Sequence, residues 1–258
     1  MLRRRRGVNS FLNWIGGKRL LRKEIVDRIP GHTCYVEVFG GAAWVLFYKD
    51  PSKIEVYNDK DSRLVSLFRC VKYHPEEMQR EMSLLLSSRK NFEDFKSQEG
   101  LTDIQKSVRF LYLIKRSFAG KRETFAIARK SGGATRSWSN LLQFMEEVSE
   151  RLDRVIVEGK DYADLVRSYD AEDTFFYLDP PYFGLDYYKY NFLTEDFQTL
   201  STLLSQIKGK FLLSLGDHPL MRDIFRDFKI EDITTKYSIS TKGNSRAKPR
   251  KELLIRNY

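Results

Sequence analysis

The run Cys34-Tyr-Val-Glu-Val-Phe39 reads as a buried strand, and Gly40-Gly41 breaks it at once. Ala42 to Tyr48 then has the spacing of a short helix, and Ile54-Glu-Val-Tyr57 supplies a second strand before Asn58-Asp59. A strand-helix-strand unit joined through a glycine turn restricts the chain more than any other feature. It predicts an α/β fold whose ligand sits at the carboxyl edge of the sheet. A strand-Gly-Gly-helix turn is also ordinary turn chemistry, and the full dinucleotide fingerprint is absent, so this turn alone does not identify the ligand.

The alternation is interrupted and then resumes. Leu20 to Ile29 precedes the first strand as a helix, Asp61 to Tyr73 follows the second, and Pro75 to Leu86 and Ile104 to Phe118 repeat the helical period without strand character. Ala119 to Trp138 gathers Lys121, Arg122, Arg129, Lys130 and Arg136 around Gly132-Gly133, as a basic loop or hairpin does. After a helix from about Ser139 to Leu152, apolar strands recur at Val155 to Val157, Phe175 to Leu178 and Phe211 to Leu215. Ile230 to Thr235 and Leu253 to Ile255 are expected to close the sheet as an antiparallel hairpin. A catalytic domain over 1–72 and 153–258, with an insertion over 73–152, is the organisation this pattern predicts.

With 258 residues, 41% of them hydrophobic, the chain can bury a sizeable core. Forty-five Lys and Arg against 35 Asp and Glu give a net charge of +10, which makes nucleic acid the first candidate partner. Arg3 to Arg6 read as a solvated basic tail, and no apolar stretch beside them suits a signal peptide or membrane span, so a cytoplasmic location is expected. Cys34 and Cys70 fit neither a disulfide framework nor a zinc spacing, and no structural metal is implied.

Three further segments carry chemistry. Asp59 stands about twenty residues past the glycine turn, where an acid accepts hydrogen bonds from ribose hydroxyls, although capping of the helix from Asp61 is its plainer role. Asn13-Trp14-Ile15-Gly16-Gly17-Lys18 lacks the spacing of a phosphate-binding P-loop, which argues against an NTPase and leaves Lys18 to neutralise a ligand carboxylate. Asp179-Pro180-Pro181-Tyr182 ends the strand Phe175 to Leu178, and its two prolines stiffen the loop while removing two backbone donors. What remains is a carboxylate, the Pro180 carbonyl and an aromatic face. An amine conjugated to a planar ring needs acceptors of this kind to draw its protons out of plane before its nitrogen can attack an electrophile, and Tyr182 is suited to stack on the ring.

With those residues in hand, the chain resembles the Dam-like family of bacterial and phage DNA adenine methyltransferases across nearly its whole length, in the order glycine motif, recognition insert, Asp-Pro-Pro-Tyr. The resemblance implies a seven-stranded, mostly parallel, Rossmann-like sheet with an inserted helical and β-hairpin recognition domain. It implies transfer of a methyl group from S-adenosylmethionine to the exocyclic amine of adenine in duplex DNA, the base being flipped into the loop Asp179, Pro180, Pro181 and Tyr182. Trp14, Lys18, Asp59 and Asp179 would contact the cofactor, Glu37, Gly40 and Gly41 would line its pocket, and Asp161 and Tyr162 would meet its adenine. Arg116, Lys121, Arg122 and Arg136 are the implied guanine or phosphate contacts, with Lys242 and Arg246 on phosphate from the carboxyl-terminal loop. Members that read GATC usually carry Gly-x-Phe-Asn-Val-Pro-Phe-Gly in the hairpin, whereas this chain has Glu123-Thr-Phe-Ala-Ile-Ala-Arg129, so the resemblance does not extend to that recognition sequence. RNA adenine or a protein amide as substrate, and a DNA-binding module without catalysis, are the competing readings; intact Lys18, Asp59 and Asp179 weigh against the last.

Overall fold

The computed structural model describes residues 7–117, 120–126, 139–184, 190–236 and 249–258. In chain order the elements are α1 (Arg22–Val26), β1 (Cys34–Glu37), α2 (Trp44–Tyr48), β2 (Ile54–Asn58), α3 (Ser62–Tyr73), α4 (Pro75–Ser83), α5 (Arg89–Ser97) and α6 (Asp103–Arg116). They continue as α7 (Ser139–Arg151), β3 (Val155–Glu158), α8 (Tyr162–Tyr169), β4 (Thr174–Leu178), α9 (Thr194–Gln206), β5 (Lys210–Gly216), α10 (Pro219–Ile224), β6 (Lys229–Lys236) and β7 (Pro249–Arg256). The seven strands form one sheet in the order β3-β2-β1-β4-β5-β7-β6. The chain divides into two compact units, one of residues 18–40, 51–60 and 160–258, the other of residues 1–17, 41–50 and 61–159.

The first unit holds most of the sheet. β2, β1, β4 and β5 run parallel, with Tyr35 opposite Phe175 and Glu37 opposite Tyr177. Every residue of β1 and β4 is buried, as expected of parallel strands covered on both faces. Val36, Phe176, Leu178 and Leu213 point to a core completed by Phe197 and Leu200 of α9 and Ile255 of β7. On the opposite face Tyr35 stacks with Phe175 at 6.1 Å. The closing hairpin forms as expected, β7 pairing antiparallel with both β5 and β6.

The second unit is largely helical. Leu64, Leu67, Phe68 and Val71 of α3 and Val108, Leu111, Tyr112 and Ile114 of α6 are buried, which is the apolar stripe that an amphipathic helix turns inward. Thr102 and Gln105 start α6 with a capping box, each side chain accepting from the other's backbone N–H. α5 was not anticipated from periodicity; Ser88 caps it by accepting from the Asn91 N–H at 3.2 Å. Of the basic segment expected to form a hairpin, residues 120–126 are described, and Ser117 and Phe125 form an antiparallel bridge. Residues 127–138 lie outside the described residues.

Candidate active site at the carboxyl edge of the sheet

Asp179 begins where β4 ends, so the strand that fills the core also fixes the carboxylate. Lys18 approaches both its oxygens, at 2.7 and 2.8 Å, and the ammonium side chain is only 3% exposed. The Ser214 hydroxyl of β5 donates to the Asp179 carboxylate at 3.0 Å and lies 3.1 Å from the Tyr177 hydroxyl. Burial raises the Asp179 carboxyl above the ordinary carboxylate range, Lys18 and Ser214 pull it back, and the charge of Glu252 pushes it up again. Tyr177 is held firmly protonated, first by burial and then by Asp179, Glu37 and Glu252.

Tyr182 is fixed from three sides. Its hydroxyl donates to Glu252 of β7 at 2.9 Å, the Lys18 ammonium sits 4.6 Å from its ring centroid, and Gly216 lies against the ring. A Cβ at Gly216 would come within 3.2 Å of that ring. The half-buried aromatic face is therefore held at the mouth of the loop by groups from three parts of the sheet unit.

Along the same edge, Asn58 ties three chain segments together. Its amide donates to the Val38 carbonyl at 2.9 Å and the Lys160 carbonyl at 3.2 Å, and its oxygen accepts from the Lys160 N–H at 2.8 Å. Gly40 donates its N–H to the Asn58 carbonyl at 2.7 Å, and a Cβ there would stand 2.2 Å from the Tyr57 ring, so only glycine fits. Half-buried Asp59 follows directly. Glu37 is buried at the end of β1 and accepts from the Tyr35 hydroxyl at 2.7 Å. Asp161 caps α8 through the Ala163 N–H and pairs with Lys60 at 3.0 Å. Tyr162, next along, packs with Phe39 at 5.7 Å and Phe192 at 5.5 Å, making an aromatic wall.

The sheet unit thus brings together Lys18, Asp179 and Tyr182 in direct contact, and carries Glu37, Gly40, Asp59, Asp161 and Tyr162 on the ends or following turns of its elements. Trp14 and Gly41 belong to the helical unit, where a Cβ on Gly41, itself at φ 49°, would meet the Trp14 ring at 3.0 Å. Lys121 and Arg122 lie in the turn after α6, and Arg122 stacks over Trp14 at 5.0 Å. Arg116 is different: only 4% exposed, it falls on the buried stripe of α6 with Val108 and Tyr112, four residues apart in each step. Arg136, Lys242 and Arg246 lie outside the described residues, as do Arg3 to Arg6. Sequence reasoning passed over Ser214, Glu252, Asn58, Phe39 and Phe192 as site residues. A lone hydroxyl inside the apolar run Phe211 to Leu215 and an acid leading into Leu253-Leu-Ile were the signals available.

Residues 14–239 match the family of D12 class N6 adenine-specific DNA methyltransferases. The chain belongs to that family. It is 26% identical over 279 residues to the type II methyltransferase M1.LlaDCHI of Lactococcus lactis subsp. cremoris, covering 97% of this chain and 96% of that protein. The type II methyltransferase M.MjaIII of Methanocaldococcus jannaschii is also 26% identical, over 97% of this chain and 99% of its own. A DNA adenine methylase of Escherichia coli K12 is 27% identical over 93% and 92% respectively. This adenine-specific DNA methyltransferase uses S-adenosylmethionine as methyl donor. The residues present fit that group: a glycine backbone that admits no side chain, an aromatic wall, an acid ending β1 and another following β2, and a buried lysine. Among the described residues no helix is long and apolar enough to cross a membrane.

Proposed function

We propose that this methyltransferase acts at a defined sequence in duplex DNA and draws the target adenine out of the helix into the loop Asp179 to Tyr182. The observation that carries the reading is the Asp179 carboxylate, half-buried at the end of β4 and oriented by Lys18 and Ser214, beside two prolines that offer no competing N–H. In this reading the adenine amine donates one hydrogen bond to Asp179 and one to the Pro180 carbonyl. Its nitrogen lone pair is then released from the ring for attack. S-adenosylmethionine, when bound, would supply the electrophilic methyl group and leave as the thioether when its S–CH3 bond breaks, with one amine proton passing to solvent. Fixed dipoles and positioning, rather than a strong base, lower the barrier.

Tyr182 offers its tethered ring for stacking, which offsets part of the few kcal/mol that unstacking a base costs. Glu37, Gly40, Asp59, Asp161 and Tyr162 are assigned to the cofactor, with Asp59 on ribose hydroxyls and Tyr162 in the wall for its adenine. Lys121 and Arg122, together with Arg136, Lys242 and Arg246 of the sequence, are assigned to DNA, the helical insertion over 73–152 being the recognition element. The work is done in the cytoplasm of a bacterial or phage-infected cell.

The test is methyl transfer from radiolabelled S-adenosylmethionine to duplex DNA, RNA and protein in parallel, by wild type and Asp179→Ala. Label should enter DNA alone and vanish in the variant. Equal labelling by Asp179→Ala, or label in RNA or protein, refutes the assignment. Once the recognition sequence is mapped, 2-aminopurine at the target position should brighten on binding if the base is extruded, and stay quenched if it is not.

A further inference from the structure

Within the helical unit, α3, α5, α6 and the turn at 120–122 wall a cleft of about 550 Å³. Six cations line it against two carboxylates, Glu99 and Asp103. Lys96 donates to the Glu123 carbonyl at 3.0 Å, Arg109 to the Gln98 carbonyl at 2.8 Å, and Arg63 holds Asp61. The others are Lys106, Lys121 and Arg122.

The arrangement of Arg63 and Arg122 is not one that folding favours by itself. Both guanidinium groups sit over the ring of Phe110, at 5.0 and 5.2 Å, and Arg122 also covers Trp14. Like charges on one aromatic platform repel, and a single carboxylate, Asp61, stands near both. Arg63 takes it in a two-pronged contact at 2.9 and 2.6 Å, so Arg122 has its attraction without a hydrogen bond among the described residues. Its Nη1 is buried and meets no acceptor among the described residues. The residue that carries it has φ 62°, in the left-handed region that a side chain rarely adopts. Burial and the Arg63 charge both push Arg122 down, and Asp61 offsets part of this. Strain, repulsion and an unsatisfied donor in one place each cost stability. The repulsion is what one oxyanion in the cleft, meeting N–H groups of both guanidinium groups, would relieve.

We propose that this cleft seats phosphodiester groups of the DNA substrate, with Arg63 and Arg122 forming one paired anion seat and Lys106 a second contact. Guanidinium groups bind phosphate oxygens through in-plane N–H donors, Arg63 with those that Asp61 leaves over, and Phe110 in the wall of the cleft lies under both groups. An open cleft with cations on several walls suits a backbone that passes through rather than a ligand that is enclosed. The inference rests on DNA being the substrate but not on the chemistry at Asp179. It adds Arg63 and Lys106, on the faces of α3 and α6, to the turn residues Lys121 and Arg122.

The test is the salt dependence of binding to a duplex lacking any methylatable target, followed by fluorescence anisotropy. Each lost phosphate contact should lower the slope of log K against log salt by about 0.9 and weaken all sequences alike. Arg122→Gln and Lys106→Gln should each show that drop, and Arg122→Lys should keep most of the slope. Lys106 is exposed on α6, so its variant reads binding even if Arg122→Gln folds poorly. Wild-type slopes in both Gln variants overturn the proposal. So does stabilisation of the protein by millimolar inorganic phosphate with no change in any DNA slope, which would mark a site for a free anion instead. The double variant Lys18→Met/Asp179→Asn, which strands no buried charge, should bind with the wild-type slope, so loss of transfer there together with intact slopes separates failure of the active-site reading from failure of this one.

Discussion

Replacing Lys18 by Met tests the centre of the site. The ammonium is 3% exposed, and its partner carboxylate 17%, with contacts of 2.7 and 2.8 Å to both oxygens. Unit charges ~4 Å apart attract by about 4 kcal/mol at an effective dielectric of ~20. Stranding one member of a buried pair costs about 3–5 kcal/mol, a large part of the ~5–15 kcal/mol that holds a typical domain folded. The loss should depend on pH. Burial already raises the Asp179 carboxyl, and Lys18 is the main force holding it down. Without Lys18 the folded carboxyl keeps its proton more tightly than the unfolded one. The deficit is then small in acid, where both forms are protonated, and opens as pH rises towards neutral. Urea unfolding between pH 4.5 and 8 measures it, alongside Lys18→Met/Asp179→Asn, which removes both charges and should recover most of the loss. A deficit independent of pH, or one that the second substitution deepens, refutes the account of the pair.

Glu252→Gln removes a like charge that raises Asp179, so the acid limb of the rate–pH profile should move to lower pH while the Tyr182 hydroxyl keeps an acceptor; an unmoved limb contradicts the coupling. Gly40→Ala places a Cβ 2.2 Å from the Tyr57 ring and should cost about 1–3 kcal/mol or more in urea unfolding through overpacking. Asn58→Ala orphans the Val38 and Lys160 backbone groups, at about 1–3 kcal/mol for each left without water, and should weaken S-adenosylmethionine binding measured by calorimetry; unchanged affinity would detach this tie from the pocket.

What the sequence made legible follows the range of the interactions involved. The strands β1, β2, β4 and β5 announced themselves because parallel strands buried on both faces leave continuous apolar runs. α5 did not, since Phe92 is the one buried side chain among nine mostly charged or polar residues, and its start depends on a single capping serine. Arg116 is expected as a guanine or phosphate contact, while the step Val108, Tyr112, Arg116 places it on the inward stripe of α6, which the helical period makes legible.

The active site divides along the same line. Asp179 to Tyr182 is contiguous, and two prolines at a strand end are visible in any reading of the chain. Ser214 reaches Asp179 across 35 residues, and Glu252 reaches Tyr182 across 70. Those contacts exist because β5 lies beside β4 and the last strand, β7, inserts antiparallel between β5 and β6 instead of adding at the edge. Strand order is decided by how the helices cover the sheet and by the hand of each crossover, neither of which is written at position 214 or 252. The local motif therefore carries the groups proposed to meet the adenine amine, whereas the sheet order supplies the groups that hold Asp179 and Tyr182 still. Substitutions at Ser214 or Glu252 should accordingly change the rate through orientation and charge, with the motif itself left intact.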